Sequence, residues 1–168
     1  MILATDRLYL IPLTLSQLKM WIDDIVALER DLDCTYLAEL MEGIFLDIVK
    51  GQYEITSKDE SNYLFHTFWF IIRKLDRVVV GSVCFKGLPN LNGEVEIGYG
   101  LGKEYEHNGY MTESIQEMCK WAMKQDCISN IIAETDIDNA QSYNVLKRCG
   151  FEKFKNGETL WWKLSTIS

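Results

Sequence analysis

Residues 94–113 read Glu-Val-Glu-Ile-Gly-Tyr-Gly-Leu-Gly-Lys-Glu-Tyr-Glu-His-Asn-Gly-Tyr-Met-Thr-Glu. The first eight alternate, with Val95, Ile97, Tyr99 and Leu101 on one side and Glu94, Glu96, Gly98 and Gly100 on the other. That is the period of a β-strand with two distinct faces. A short polar loop follows, and Gly109 opens an amphipathic helix. The first-turn N–H groups of a helix have no partner inside it and sit at the positive end of its dipole. Together they form a ready site for a phosphate or pyrophosphate. A glycine there lets the backbone approach such a ligand closely.

Other chemistries find less support. The pattern G-x-x-x-x-G-K-[ST] is absent, so the segment is no P-loop. Gly98, Gly100 and Gly102 miss the G-x-G-x-x-G spacing and lie inside the strand, which disfavours a dinucleotide site. Cys34, Cys84, Cys119, Cys127 and Cys149 are odd in number and form no C-x-x-C pair, and His66 and His107 are the only histidines. No metal site and no disulfide framework is expected, and the thiols should be reduced and mostly buried. A cysteine-nucleophile transferase is allowed by residue type alone. The formal charge of −8 disfavours a nucleic-acid partner and suits a cationic one. No basic leader and no run approaching the ~18 apolar residues of a membrane span occurs. A soluble, cytoplasmic protein with no membrane partner is expected.

The elements that must position this segment follow from periodicity. The chain has 168 residues, 48% of them apolar, and no linker-like tract, so one domain over 1–168 is expected. Residues 8–13 read as a strand. Thr14 or Ser16 then caps a helix carrying Leu15, Leu18, Ile22, Ile25 and Val26. A second helix is expected over 35–50, and the polar stretch 51–62 reads as a loop. Strands at 68–73, 78–85 and 94–101 form an antiparallel meander joined by turns at 74–77 and 88–93. A helix over 109–124 and a strand over 130–134 complete a right-handed parallel crossover. Asp138 or Asn139 caps a last helix ending at Gly150, and strands at 151–154 and 159–164 close the chain. The expected class is α+β, with a mixed, mostly antiparallel sheet of about seven strands flanked by about four helices.

Three segments resemble one family. Tyr105-Glu-His-Asn-Gly-Tyr-Met-Thr-Glu113 is similar to the acetyl-CoA pyrophosphate loop of GNAT acetyltransferases, usually Gln/Arg-x-x-Gly-x-Gly/Ala and often extended as Gly-Tyr-Ala-Thr-Glu. Asn139-x-x-Ser-Tyr-x-Val-Leu-x-Arg-x-Gly-Phe151 resembles the family's second motif. Thr5-Asp-Arg-Leu-Tyr-Leu-Ile-Pro-Leu13 resembles the first strand of the branch containing ribosomal-protein N-terminal (alanine/serine) acetyltransferases. The three occur in the family's order and span nearly the whole chain. Two positions depart from the pattern: Glu106 stands where Gln or Arg is usual, and His107 replaces the first glycine.

The resemblance implies acetyl-CoA as co-substrate and acetyl transfer to a primary amine, either a protein N-terminus or a small molecule. The strand before the loop should splay from its parallel neighbour, so that Tyr99, Gly100 and Leu101 pair with the pantetheine arm as an added strand would. Glu106, His107, Asn108, Gly109, Tyr110, Met111 and Thr112 should hold the pyrophosphate, chiefly through main-chain N–H groups, with the Glu106 side chain turned to solvent. Asn139 should contact the pantetheine region. Glu96, or else Glu94, is implied as the base that takes the amine's proton. Ser142, or else Tyr143, is implied as the donor to the leaving thiolate, whose thiol needs modest help at a pKa of about 8.5. Trp21, Tyr36, Tyr63, Phe65, His66, Trp69 and Trp161 are acceptor-lining candidates. Dimers are common in the resembling branch, so a homodimer is within what it implies. The altered loop keeps a second reading open, a non-catalytic module that binds acyl-CoA.

Overall fold

The computed structural model describes residues 1–165; the last three residues of the expected 1–168 domain lie outside them. Its backbone is a sheet of nine strands in the order β1-β2-β4-β5-β6-β7-β9-β8, with β3 attached to β5. The strands are β1 Leu3–Ala4, β2 Leu8–Pro12, β3 Thr35–Tyr36, β4 Phe68–Arg73, β5 Val78–Phe85, β6 Glu94–Leu101, β7 Asn130–Asp136, β8 Glu152–Asn156 and β9 Thr159–Ser165. The helices are α1 Leu15–Asp23, α2 Ile25–Leu32, α3 Gly43–Lys58, α4 Tyr110–Met123 and α5 Ala140–Arg148. The class is the expected α+β, mostly antiparallel, with β6–α4–β7 as the parallel crossover.

The counts exceed the expected seven strands and four helices. Two added strands, β1 and β3, are two residues long and carry no periodicity that a sequence could display. The expected first helix is two. Thr14 closes a capping box with Gln17 at the start of α1, and Asp24, with φ −154°, breaks the run and caps α2 through the Ala27 N–H at 3.2 Å.

The region 35–62 differs most from expectation. Asp33 ends α2 in the left-handed region at φ 52°. Thr35 and Tyr36 then pair in parallel with Val78 and Val79 instead of opening a helix. They fill the edge of β5 left free where β6 ends, since β6 pairs with β5 only from Phe85↔Ile97 to Gly81↔Leu101. Helix α3 starts eight residues later than expected at Gly43 and runs on to Lys58 through the stretch read as a loop. Phe45, Val49, Tyr53 and Thr56 recur at helical spacing on its inner side. The polar residues between them are its solvent face.

The sheet separates two cores. On one face α4 and α5 pack Met111, Ile115, Met118 and Leu146 onto Val95, Ile97, Ile131 and Ala133. On the other α1, α2 and α3 pack Leu18, Trp21, Leu28 and Val49 onto Phe68, Phe70, Ile72 and Cys84. Among the described residues no helix is long and apolar enough to cross a membrane.

Candidate active site

Strand β6 changes partner along its length. Glu94, Val95 and Glu96 pair with Asn130, Ile131 and Ile132 of β7, and the β6–β7 register goes no further. From Ile97 onward β6 pairs with β5 alone, while β7 continues against β9 as far as Asp136. The two parallel strands therefore part beyond Glu96. The β6 edge at Tyr99 and Gly100 is left facing a cleft of about 480 Å³, whereas Leu101 lines a separate groove. Tyr99 and Gly100 line it together with Asn139 and Ser142.

The first turn of α5 sits at the opening. Asn139 Oδ1 accepts from the Ser142 N–H at 3.1 Å, so this side chain caps the helix. Ser142 Oγ lies 2.5 Å from Tyr99 Oη. Burial pushes the Tyr99 phenol up to about 12, against a smaller lowering by Ser142. Tyr143 instead stacks on Trp162 at 5.8 Å, and its hydroxyl is buried without a partner.

Beyond Leu101 the chain makes one 3-10 turn and enters the loop before α4. Asn108 Nδ2 ties that loop by donating to the Tyr105 and Glu106 carbonyls, each at 3.1 Å. His107 at φ 67° and Gly109 at φ 79° turn the backbone into the helix. Gly109 provides no side-chain cap. The first intrahelical bond is from Glu113 N–H to Gly109 C=O at 3.1 Å, so the N–H groups of Tyr110, Met111 and Thr112 are left without intrahelical acceptors. Thr112 Oγ1 is enclosed with no hydrogen-bond partner. His107, Gly109 and Thr112 line a broad groove along α4. Glu106 turns away from it, into a separate groove beside Leu101, Gly102 and Lys103.

The two carboxylates of β6 are both paired. Glu96 Oε2 is 3.0 Å from Lys86 Nζ, and Glu94 Oε2 is 3.3 Å from Lys163 Nζ. Lys86 lines the cleft and Glu96 stands behind it.

Two motifs that are separate in the sequence meet here. Glu113 of α4 accepts from Thr5 Oγ1, from Arg7 Nε at 2.8 Å and from the Arg7 N–H at 3.1 Å. Burial alone would raise the Glu113 pKa; these donors outweigh it and hold the carboxyl below its ordinary value. The Arg7 guanidinium also lies 4.6 Å from the Tyr110 ring centre. Because the folded pKa is depressed, this stabilisation is present above the ordinary carboxylate value and is lost as pH falls from there through the lowered folded value. Glu113→Gln should lower stability by about 1–2 kcal/mol at pH 7, a range discounted for the half-exposed arginine. The difference from wild type should shrink in urea titrations near pH 4, and an equal difference at both pH values would contradict the cluster's role.

The cleft opens through the sheet onto the face covered by α1–α3. Of the aromatic acceptor-lining candidates, Trp21 and Trp69 are fully buried core. The wall is instead Phe45, Ile48 and Phe68, joined by Glu39, Glu134 and Asp136. Nothing local in the sequence signals Glu39. It reaches the cleft only because β3 docks on β5.

The family profile described as acetyltransferase (GNAT) domain matches residues 7–152. The chain belongs to the GNAT acetyltransferase family. Among curated relatives, the uncharacterised N-acetyltransferase YjdG of Bacillus subtilis is 35% identical over 83 residues, 49% of each chain. The ribosomal-protein-serine acetyltransferase of Escherichia coli is 28% identical over 82 residues, 49% of this chain and 45% of that one. The chain spans about half the length of these curated relatives. The ribosomal-protein-S5-alanine acetyltransferase structure from Vibrio fischeri is 14% identical, with a TM-score of 0.70 over 99% of this chain and 97% of that one. It has the same GNAT fold.

Four of the five thiols of this GNAT domain, Cys34, Cys84, Cys119 and Cys149, are pushed by burial away from the nucleophilic thiolate form. Burial pushes Cys84 and Cys149 up to about 11, far from the thiolate form at neutral pH. Cys84 and Cys119 are buried, Cys34 and Cys149 half-buried, and Cys127 exposed. Among the described residues no cluster of three or more His, Cys, Asp or Glu could hold a metal.

Proposed function

We propose that this chain transfers the acetyl group of acetyl-CoA to a primary amine by direct attack in a ternary complex. The observation that carries the reading is the parting of β6 from β7 beyond Glu96, which opens a cleft in the sheet on the strand that leads into the uncapped N-terminus of α4. Acetyl-CoA, when bound, supplies an acetyl thioester that an uncharged amine can accept. The residues present fit that molecule. The unpaired edge of Tyr99 and Gly100 offers backbone groups to the pantetheine amides. The Asn139 side chain, although it caps α5, stands beside them. The loop from Glu106 to Thr112 offers its main-chain N–H groups to a pyrophosphate, whereas the Thr112 hydroxyl is enclosed and out of its reach. Because Glu106 faces another groove, its charge does not oppose the phosphates.

Backbone N–H groups near Ile97 to Tyr99 would stabilise negative charge on the acetyl oxygen. Glu96 is assigned as the base. Its carboxylate is held by Lys86 at 3.0 Å, and the proton of the amine reaches it through water. Ser142 donates to the departing sulfur and draws on the Tyr99 hydroxyl behind it. Because Tyr99 stays protonated at neutral pH, it can donate to Ser142 as Ser142 donates onward. Ser142→Ala should therefore lower kcat about tenfold with the KM for acetyl-CoA nearly unchanged, since Tyr99 remains as a donor. A change in KM alone would remove Ser142 from the chemical step.

The acceptor class is an aliphatic amine, protein-borne or free; the E. coli relative named for a ribosomal-protein serine is one reason to include polypeptides. Calorimetric titration with acetyl-CoA, CoA and NADH tests the reading, followed by thiol release with an amine panel. Binding of both CoA species but not NADH, with thiol release by an amine, is expected. Failure to bind either CoA species would overturn it. Binding without turnover of any amine would favour the non-catalytic module.

A further inference from the structure

The acceptor face of β6 carries a row of polar groups that can be read residue by residue. Glu96, Gly98 and Gly100 point to the side of the sheet covered by α1–α3, because Val95 and Ile97 point into the other core. Lys86 crosses Gly98. A Cβ there would lie 2.9 Å from Lys86 Cε, and the lysine ends on Glu96. Two residues along, Glu39 lies over Gly100, whose missing Cβ would stand 3.3 Å from Glu39 Oε1. The Tyr36 hydroxyl donates to the Glu39 carbonyl and fixes the start of this loop.

Glu39 differs from its neighbours. Glu96 and Glu94 are paired with lysines, and Glu134 accepts from Thr159 Oγ1 at 2.6 Å. The Glu39 carboxylate makes no such bond among the described residues, and its partly desolvated surroundings raise its pKa. Asp136, the remaining carboxylate of the cleft, stands on the opposite wall at the end of β7. Glu39 shares its wall with Phe45 and Ile48, the latter half exposed. A cation entering the cleft is repelled by Lys86 from the Glu96 end and meets an open carboxylate with apolar side chains beside it.

We propose that Glu39 receives the ammonium group of the acceptor, which makes the acceptor an aliphatic amine with an apolar body and no adjacent carboxylate. This rests on the acetyl-transfer reading of the same cleft. An α-amino acid would bring its own carboxylate against Glu39, Glu134 and Asp136 and is excluded, whereas a polypeptide N-terminus, whose carboxyl is an amide, is not. Glu39 holds the ammonium form, and the proton lost before attack leaves through water toward Glu96.

The test compares phenethylamine with phenylalanine, which differ by one carboxylate. Binding of each to the full chain saturated with CoA is measured by ligand-observed NMR, and thiol release is followed in parallel with acetyl-CoA. Wild type should bind phenethylamine about tenfold or more tightly than phenylalanine, and Glu39→Gln should weaken phenethylamine binding about tenfold, the scale of a lost charge-assisted contact. An unchanged circular dichroism spectrum confirms that the variant folds. Equal binding of both ligands to wild type, equal phenethylamine binding by wild type and Glu39→Gln, or a loss produced by Asp136→Asn in its place overturns the assignment. The two readings fail separately. Glu39-dependent binding without thiol release from any amine would sink acetyl transfer and leave the ammonium site standing. Undiminished thiol release by Glu39→Gln would do the reverse.

Discussion

Gly109→Val is expected to abolish practical binding of acetyl-CoA, with affinity falling about 100-fold or more while the fold survives. Gly109 sits at φ 79° at the entrance to α4. A β-branched residue resists that region, and its Cβ would also stand 3.3 Å from Arg7 Nη2, the arginine held by Glu113. The backbone can relax only by rotating the loop, and rotation turns away the N–H groups proposed as the phosphate site. The strain itself is small, on the order of 1–2 kcal/mol, so the melting temperature should drop by only a few degrees. Calorimetry with CoA measures the binding loss directly. An affinity within threefold of wild type would mean that the α4 N-terminus is not where the pyrophosphate rests.

That prediction depends on a segment whose structure was legible from local pattern. The alternation over 94–101 and the apolar stripe over 109–124 are periodic signals, and they give β6 and α4 almost to the residue. Gly150, read as the end of the last helix, has the positive φ of 91° that such an end requires. The region 35–58 was not legible, because its structure is set by distant partners. Thr35 and Tyr36 are a strand only because β6 stops at Leu101 and leaves an edge of β5 open. The polar second half of α3 is a helix because Val49, Tyr53 and Thr56 face a core built from α1 and β4.

The same division runs through the site. The proposed donor side is local in sequence, so the loop before α4 and the α5 cap could be anticipated as motifs. The proposed acceptor side is assembled from Glu39, Phe45, Phe68 and Lys86, which come from four separate segments. Their proximity is a product of sheet order. The meeting of Thr5, Arg7 and Glu113 falls between these cases, since both halves were visible as patterns but their contact was not. A small-molecule acceptor site can vary without disturbing the donor motifs, which is why those motifs carry the family and not the substrate.

Trp21→Ala should cost about 3–5 kcal/mol, the range for truncating a fully buried large aromatic, and should disable acceptor binding in whatever fraction remains folded. Trp21 is 1% exposed and makes edge contacts with Tyr36, Phe45, Phe68 and Phe70, with ring centres 4.9 to 5.9 Å away. Two of these partners, Phe45 and Phe68, are the apolar wall of the cleft, and a third, Tyr36, anchors the Glu39 loop. A cavity at position 21 therefore opens directly behind the proposed acceptor site, and collapse into it would move that wall. The indole N–H is buried without a hydrogen-bond partner, so Trp21→Phe removes an unsatisfied donor along with part of the ring. Its cost should be clearly smaller, about 1–2 kcal/mol. Urea unfolding of the two variants separates the contributions. Similar losses for both would indicate that the indole's specific shape matters more than its volume. A loss below 1 kcal/mol for alanine, far under the ~3 kcal/mol floor expected for such a truncation, would refute the placement of Trp21 at the centre of the layer beneath α1 and α3.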